Sequence, residues 1–178
     1  MAIAKNPEAY RHLSMQFENR QVKKVYHAVV NGSHNLDGIE VNLPISPAGD
    51  SAVRIDKEGG KIALTYFNTI KAFKDATLAE CMPVTGRMHQ IRIHLSCLKA
   101  PIVSDKQYGG KDLYLSNFKR NFKLKKDTDE QAIIKRVALH AYAISFKPLN
   151  SEEYVVAIAP YPKDFAVLVK LLEEYNQI

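Results

Sequence analysis

Two arginines and two histidines crowd residues 85–96, TGRMHQIRIHLS, among apolar residues at regular intervals. Laid on a helix at about 100° per residue, Met88, Ile91, Leu95 and Leu98 share one face, and His89, Arg92, Ser96 and Lys99 form the stripe beside it. Such a helix packs one face and presents a cation on the next; an anchored guanidinium can then grip a carboxylate or phosphate through two parallel hydrogen bonds. Thr85 and Gly86 are the expected start of that helix. An amphipathic helix with a merely solvated edge has the same periodicity. A metal enzyme built on His89, His94 and His140 is a weaker reading, because a spacing of five turns His89 and His94 about 140° apart on a helix. Cys81 and Cys97 have neither the number nor the spacing of a zinc site or disulfide framework, and read as reduced, packed thiols.

TGRMHQIRIHL closely resembles the signature TGRxHQIRxHL of the RluA-type pseudouridine synthases. Three further segments match that family in order: residues 11–32, RHLSMQFENRQVKKVYHAVVNG, which end in its KxYxAxVxG pattern; 100–110, APIVSDKQYGG; and 136–146, RVALHAYAISF. The resemblance implies isomerisation of uridine within RNA: the N-glycosidic bond breaks, the uracil turns over, and C5 rejoins the sugar, with no cofactor and no metal. It also implies roles for residues here. Arg92 corresponds to the arginine paired with the catalytic carboxylate. Tyr26 corresponds to the ring that stacks beneath the uracil and is a candidate to take the C5 proton. Leu139 corresponds to the apolar residue packed against it. Arg87, His89 and Gln90 are candidates to support the cleft and contact RNA.

The family's catalytic aspartate lies in HRLDxxTSG, which should end just before the segment represented by IAKNPEAY, and no HRLD occurs in these 178 residues. Met88 and Ser104 also depart from the usual residues of their segments. Asp105 matches an aspartate of the family distinct from the nucleophile, and Asp37, Asp50, Asp56 and Asp75 fall in apparent turns that account for them. The expectation is a catalytic domain without its amino-terminal part, inactive alone, which exposes a strand edge and an apolar face and self-associates through them. A non-catalytic RNA-binding remnant is the alternative.

Stepping along the elements that must hold these residues, Asn6 and Pro7 are a cap and first position for a helix over residues 6–20, with Tyr10, Leu13 and Phe17 at helical spacing. Residues 22–31 change to strand alternation and carry Tyr26, which by itself reads equally as an ordinary sheet tyrosine. A short strand is expected over 38–45, a loop over 46–61, and a strand pair over 61–73 and 77–84. Residues 136–146 and 152–159 alternate as a hairpin, and a closing helix starts near Pro162 with Phe165, Leu168, Val169 and Leu172 on its inner face. Without a repeating βα period this is α+β, one domain over 1–178; the resemblance adds a mixed, largely antiparallel sheet flanked by helices.

A net charge of +6 and a pI near 9.2 suit a polyanion, and the resemblance makes it ribosomal or transfer RNA. Within a basic insertion or loop over 111–134, Lys119, Arg120, Lys123, Lys125 and Lys126 are interleaved with Phe118 and Phe122; this is either an RNA-contacting segment or a solvated loop. No run reaches the roughly 20 apolar residues of a membrane span and the amino terminus is not a secretory signal, so a cytoplasmic protein is expected.

Overall fold

The computed structural model describes residues 2–119, 122–124 and 128–178. Six strands form one sheet in the order β2-β5-β6-β1-β7-β8, and every neighbouring pair is antiparallel. They are β1 (Lys23–Asn31), β2 (Ile39–Asn42), β5 (Leu64–Ala72), β6 (Ala76–Pro83), β7 (Leu139–Phe146) and β8 (Val155–Ile158). The remaining pair, β3 (Ile45–Pro47) and β4 (Val53–Ile55), is a small hairpin that starts at the last residue of the strand expected over 38–45 and runs into the stretch expected to be a loop. Its strands are three residues each, too short for a period-2 pattern to register in the sequence. They are held by a satellite core of Ile45, Val53, Ala63 and Ile93.

Strand β1 is the spine. Ala28, Val29 and Val30 are all fully buried although consecutive residues of a strand point to opposite faces, so both faces are covered there. Helix α2 (Gln90–Cys97) contributes Ile91 and Leu95 to the core. Helix α3 (Lys163–Tyr175) contributes Phe165, Leu168 and Leu172, at the spacing the sequence indicates. An Arg136–Asp164 ion pair at 2.7 Å holds the start of α3, and Asn176 holds its end by accepting from Asp75 N at 2.9 Å and donating to the Asp75 carboxylate at 2.7 Å.

Helix α1 (Pro7–Glu18) starts as its cap dictates, with Asn6 Oδ1 accepting from Ala9 N at 2.8 Å. Its docking is polar. The buried Gln16 amide both donates to the Lys147 carbonyl and accepts from the Lys147 N–H, each at 2.8 Å, while Tyr10 and Phe17 of the expected apolar stripe are exposed. Cys81 is buried, and burial pushes its thiol pKa up; Cys97, expected to be packed, is exposed at the end of α2. Among the described residues no helix is long and apolar enough to cross a membrane.

Candidate active site

The turn from β6 into α2 is set by Gln90. Its Oε1 accepts from the Thr85 hydroxyl at 2.7 Å and from Arg87 N at 3.0 Å, and its Nε2 donates to the Leu64 carbonyl and to Thr65 Oγ1, both at 2.9 Å. Thr85 Oγ1 accepts from Leu64 N at 3.0 Å, so one buried glutamine ties the turn to the edge of β5. The Thr65 hydroxyl, already an acceptor, gives its proton to His94 Nδ1 at 2.9 Å, leaving His94 Nε2 to donate to the Leu43 carbonyl at 3.1 Å. Burial holds His94 below the usual histidine range, only partly offset by the Leu43 bond. His94 is thus spent inside the core, and among the described residues no three His, Cys, Asp or Glu side chains are grouped to hold a metal.

This network also explains why the helix begins later than Thr85 and Gly86 suggest. Residues 85–89 are a turn, closed by His89 at φ 52°, and Met88, assigned by periodicity to the packed face, is exposed. A non-glycine residue in the left-handed region is costly, and such residues collect at functional sites. Lys99 has a positive φ of 59° just past the helix and leaves the polar stripe.

Arg92, in the first turn of α2, is held from three sides. Its Nε donates to Asp105 Oδ2 at 2.7 Å, its Nη2 donates to Asp105 Oδ1 at 2.6 Å and to Gln107 Oε1 at 2.9 Å, and its guanidinium carbon lies 4.7 Å from the centre of the Tyr108 ring. Asp105 is buried, in a loop whose close return requires Gly110: a Cβ there would collide with the Ile102 carbonyl and crowd Asp105 N. The Tyr108 hydroxyl bonds both Val53 N at 3.0 Å and His89 Nδ1 at 2.9 Å, joining the β3–β4 hairpin to the same cluster. Partial burial first, and the Arg92 charge second, lower the His89 pKa. The fork of Arg92 was expected to meet a motif aspartate; in this chain Asp105 occupies its Nε/Nη2 edge, and Nη1 has no bonding partner among the described residues.

Tyr26, Arg92 and Leu139, from three separated segments, line one cavity of about 240 Å³ with Lys24, Pro83, Thr85, Arg87, His89 and Gln90. Tyr26 comes from β1; Leu139 starts β7 opposite Ala28, so the two lie on one face of the sheet. Just before Tyr26 the register of β1 against β7 shifts, at Val25/Tyr26, a bulge of the kind that re-aims side chains beside functional sites. Arg87 is exposed at the rim, its Nε on the Ile62 carbonyl at 3.1 Å. Of the basic stretch, Lys119 is exposed with its ammonium 5.2 Å from the centre of the Tyr175 ring, and Lys123 is exposed; neither lines the cavity. Arg120, Lys125 and Lys126 lie outside the described residues.

Sequence reasoning did not single out Lys24, Gln107 or Tyr108. Lys24 was within reach, since strand alternation puts residues 24 and 26 on one face; the others stand in a loop without period.

Residues 1–97 match the family model described as RNA pseudouridylate synthase. The chain is 33% identical over 175 residues to an uncharacterized RNA pseudouridine synthase of Bacillus subtilis, covering 98% of this chain and 52% of that protein. It is 34% identical over 176 residues to the ribosomal large subunit pseudouridine synthase D of Neisseria meningitidis, covering 97% of this chain and 44% of the other. Against the ribosomal large subunit pseudouridine synthase C of Vibrio cholerae it is 35% identical over 163 residues, covering 90% and 47%. The chain therefore spans about half the length of the curated relatives it matches. Among solved structures, human RNA pseudouridylate synthase domain containing 4 superimposes with a TM-score of 0.67 at 20% identity, over 94% of this chain and 69% of that one, a likeness of fold.

Proposed function

The chain belongs to the RNA pseudouridylate synthase family, and from that membership we propose that the cavity between β1, α2 and β7 takes a uridine flipped out of RNA and that the complete enzyme isomerises it to pseudouridine. The observation that carries this is the meeting of Tyr26, Arg92 and Leu139 in one cavity. A flipped base needs an aromatic platform and an apolar cover once it leaves its stack. Tyr26 supplies the platform and Leu139 the cover. Arg87 and His89 stand at the mouth for the RNA backbone, and Gln90 keeps the turn that carries them. The relatives named for the ribosomal large subunit support ribosomal RNA, with transfer RNA as the other class. The cytoplasm is the location that goes with such a substrate.

Among the described residues, none of those lining the cavity is acidic, and the nearby Asp105 is engaged with Arg92. We therefore expect the 178 residues alone not to turn over, because loss of a nucleophile removes several orders of magnitude in rate. An incoming carboxylate would meet Arg92 through Nη1, its fork being occupied. The same acid-free cavity favours the second reading, a domain that binds RNA without modifying it. Tritium release from RNA labelled at uridine C5 tests both, comparing this chain with one extended upstream through HRLD. Release from the extended chain alone is expected; release at comparable rates from both overturns the missing carboxylate, and release from neither leaves binding as the function.

The basic stretch from 119 to 126 is proposed to follow phosphates. Neutralising three of its lysines should weaken RNA binding and flatten its salt dependence by up to about 0.7 per lost contact. An unchanged slope would mark a solvated loop. Self-association through β8 is the remaining proposal, supported by the exposure of all four of its residues.

A further inference from the structure

We propose that Tyr108 fixes the tautomer of His89 with its proton on Nε2, and that this N–H is the donor His89 offers to a backbone oxygen of RNA at the mouth of the cavity. The inference rests on the cavity being the uridine site, and it adds how one residue at the mouth makes its contact. Three groups meet at the Tyr108 hydroxyl. Val53 N, 3.0 Å away, can only donate, so it takes one lone pair of the oxygen. His89 Nδ1, at 2.9 Å, is the other partner of that oxygen among the described residues. Were Nδ1 to donate as well, the phenolic proton would be left without an acceptor among them; giving that proton to Nδ1 satisfies all three groups. His94 obeys the same rule inside α2, where the hydroxyl of Thr65 accepts from Gln90 and passes its own proton to Nδ1. Docking of the β3–β4 hairpin, through one backbone N–H, thus selects which nitrogen of His89 carries the proton.

The ring is aimed as well as protonated. Nδ1 and Nε2 stand on nearly opposite edges of an imidazole. The Nδ1 edge meets Tyr108, which does not line the cavity, whereas His89 does, so the Nε2 edge is the one left for the cavity. The backbone agrees: His89 holds the left-handed φ of 52° just before α2, with its ring edge-on to Tyr108 at 79° and centroids 5.6 Å apart. Arg92 lies over the same Tyr108 ring, so both residues take their positions from one side chain. The surroundings disfavour a second proton. Partial burial and the Arg92 cation lower the His89 pKa, and Asp105, engaged with Arg92, offsets them only in part. The charged groups around the ring are Arg92 on α2, Asp105 in the loop, and Arg87 and Lys24 along the cavity, three cations to one acid. The hairpin side meets the cluster through the Val53 N–H. A neutral N–H binds an RNA oxygen without releasing counterions, and an imidazolium on a phosphate releases them, so salt tells the two apart.

The test begins with long-range nitrogen–proton correlation spectra of the 178-residue chain labelled in its histidines, at about pH 7.5, above the ordinary histidine pKa. His89 is assigned by the resonances that His89→Gln removes. The expected pattern is one protonated nitrogen, Nε2, whose resonance moves when hexauridylate is added. A proton on Nδ1, a doubly protonated ring, or an Nε2 resonance that ignores the oligonucleotide overturns the proposal and leaves the uridine reading standing. Binding then shows whether the proton is used. His89→Leu should weaken hexauridylate binding about tenfold, the loss of one hydrogen bond, and His89→Gln, whose amide is a neutral donor, should recover most of it. Melting temperatures check both folds, and if leucine unfolds the chain the spectra decide alone. The ratio of parent to leucine affinity should hold from about pH 8 to about pH 6 and across a salt series. A ratio that grows as pH falls through about 6.5, with a salt slope flattened by about 0.7 in the leucine variant, makes His89 a cationic phosphate contact and overturns the proposal. Glutamine no better than leucine overturns it too. Tyr26→Ala separates the two levels: if it leaves the affinity intact, or if the parent chain does not bind hexauridylate, the cavity is not the base site and the reading under it fails as well.

Discussion

The two flanks of β1, one carrying most of the cavity lining and the other forming the sheet margin, are walls built in opposite ways. On the α2 side, Thr85, Gln90, Thr65 and His94 are buried and joined by consecutive hydrogen bonds, and Arg92 is gripped by the buried Asp105. On the β7–β8 side, no residue of β7 is fully buried and all four residues of β8 are exposed. One wall is over-determined, the other is a sheet margin with little packed on it. Local opening should therefore concentrate on the second wall, where few apolar contacts hold the ladder. Tyr26 stands between, on the strand paired to both sides.

The largest expected effect comes from breaking the fixed wall at Asp105. Asp105→Ala leaves a mostly buried guanidinium without its carboxylate, a loss of about 3 kcal/mol or a drop in Tm of about 6–12 °C. Thermal unfolding followed by circular dichroism measures it; a drop of less than about 2 °C would mean that solvent or Gln107 replaces the pair. Next is Gln90→Leu, which leaves several buried partners unsatisfied at once and should cost about 2 kcal/mol. Chemical denaturation reads that loss, and an unchanged midpoint would show that the turn holds without its glutamine.

A smaller effect sharpens the same contrast through acidity. Burial lowers the pKa values of His94 and His27, so the folded protein resists protonating them. Above about pH 6.5 both states leave these histidines neutral and no penalty exists; as pH falls below that, the unfolded chain takes up protons first and stability declines toward the lower folded values. Melting temperatures should therefore fall between about pH 7 and pH 5.5, and the fall should be shallower in His94→Gln. Equal slopes in parent and variant would remove His94 from the account.

Much of this architecture is legible in the sequence. The Asn6–Pro7 start of α1, the β5–β6 hairpin and the inner face of α3 follow from caps and periods that local sequence carries. The α2 start was misplaced because apolar spacing runs on through residues 85–89, whereas Gln90 spends its amide on β5, a tertiary bond with no signature in the period. Arg92 was recognised as an anchored fork, yet its partner stands thirteen residues on in an aperiodic loop, where type and spacing do not point back to it. The β3–β4 hairpin was missed because satellite packing, and not strand length, sustains it.

The smallest effect on stability belongs to the open wall. Val156 lies in the middle of β8, is 62% exposed and pairs with Ser145 on the inner side only; the outer edge of the strand faces solvent. An apolar, uncharged edge of this kind offers unpaired backbone groups to another strand, and natural sheets discourage that with lysine. Val156→Lys removes little buried area, so unfolding should shift by no more than about 0.5 kcal/mol, against the much larger cost at Asp105. Association should respond far more. If β8 pairs between copies, sedimentation velocity will show the parent chain shifting to larger species with concentration and the lysine variant remaining monomeric. Identical concentration dependence in the two chains would take β8 out of any self-association, while a loss of stability comparable to that of Asp105→Ala would show that the open wall is bound to the core as tightly as the closed one.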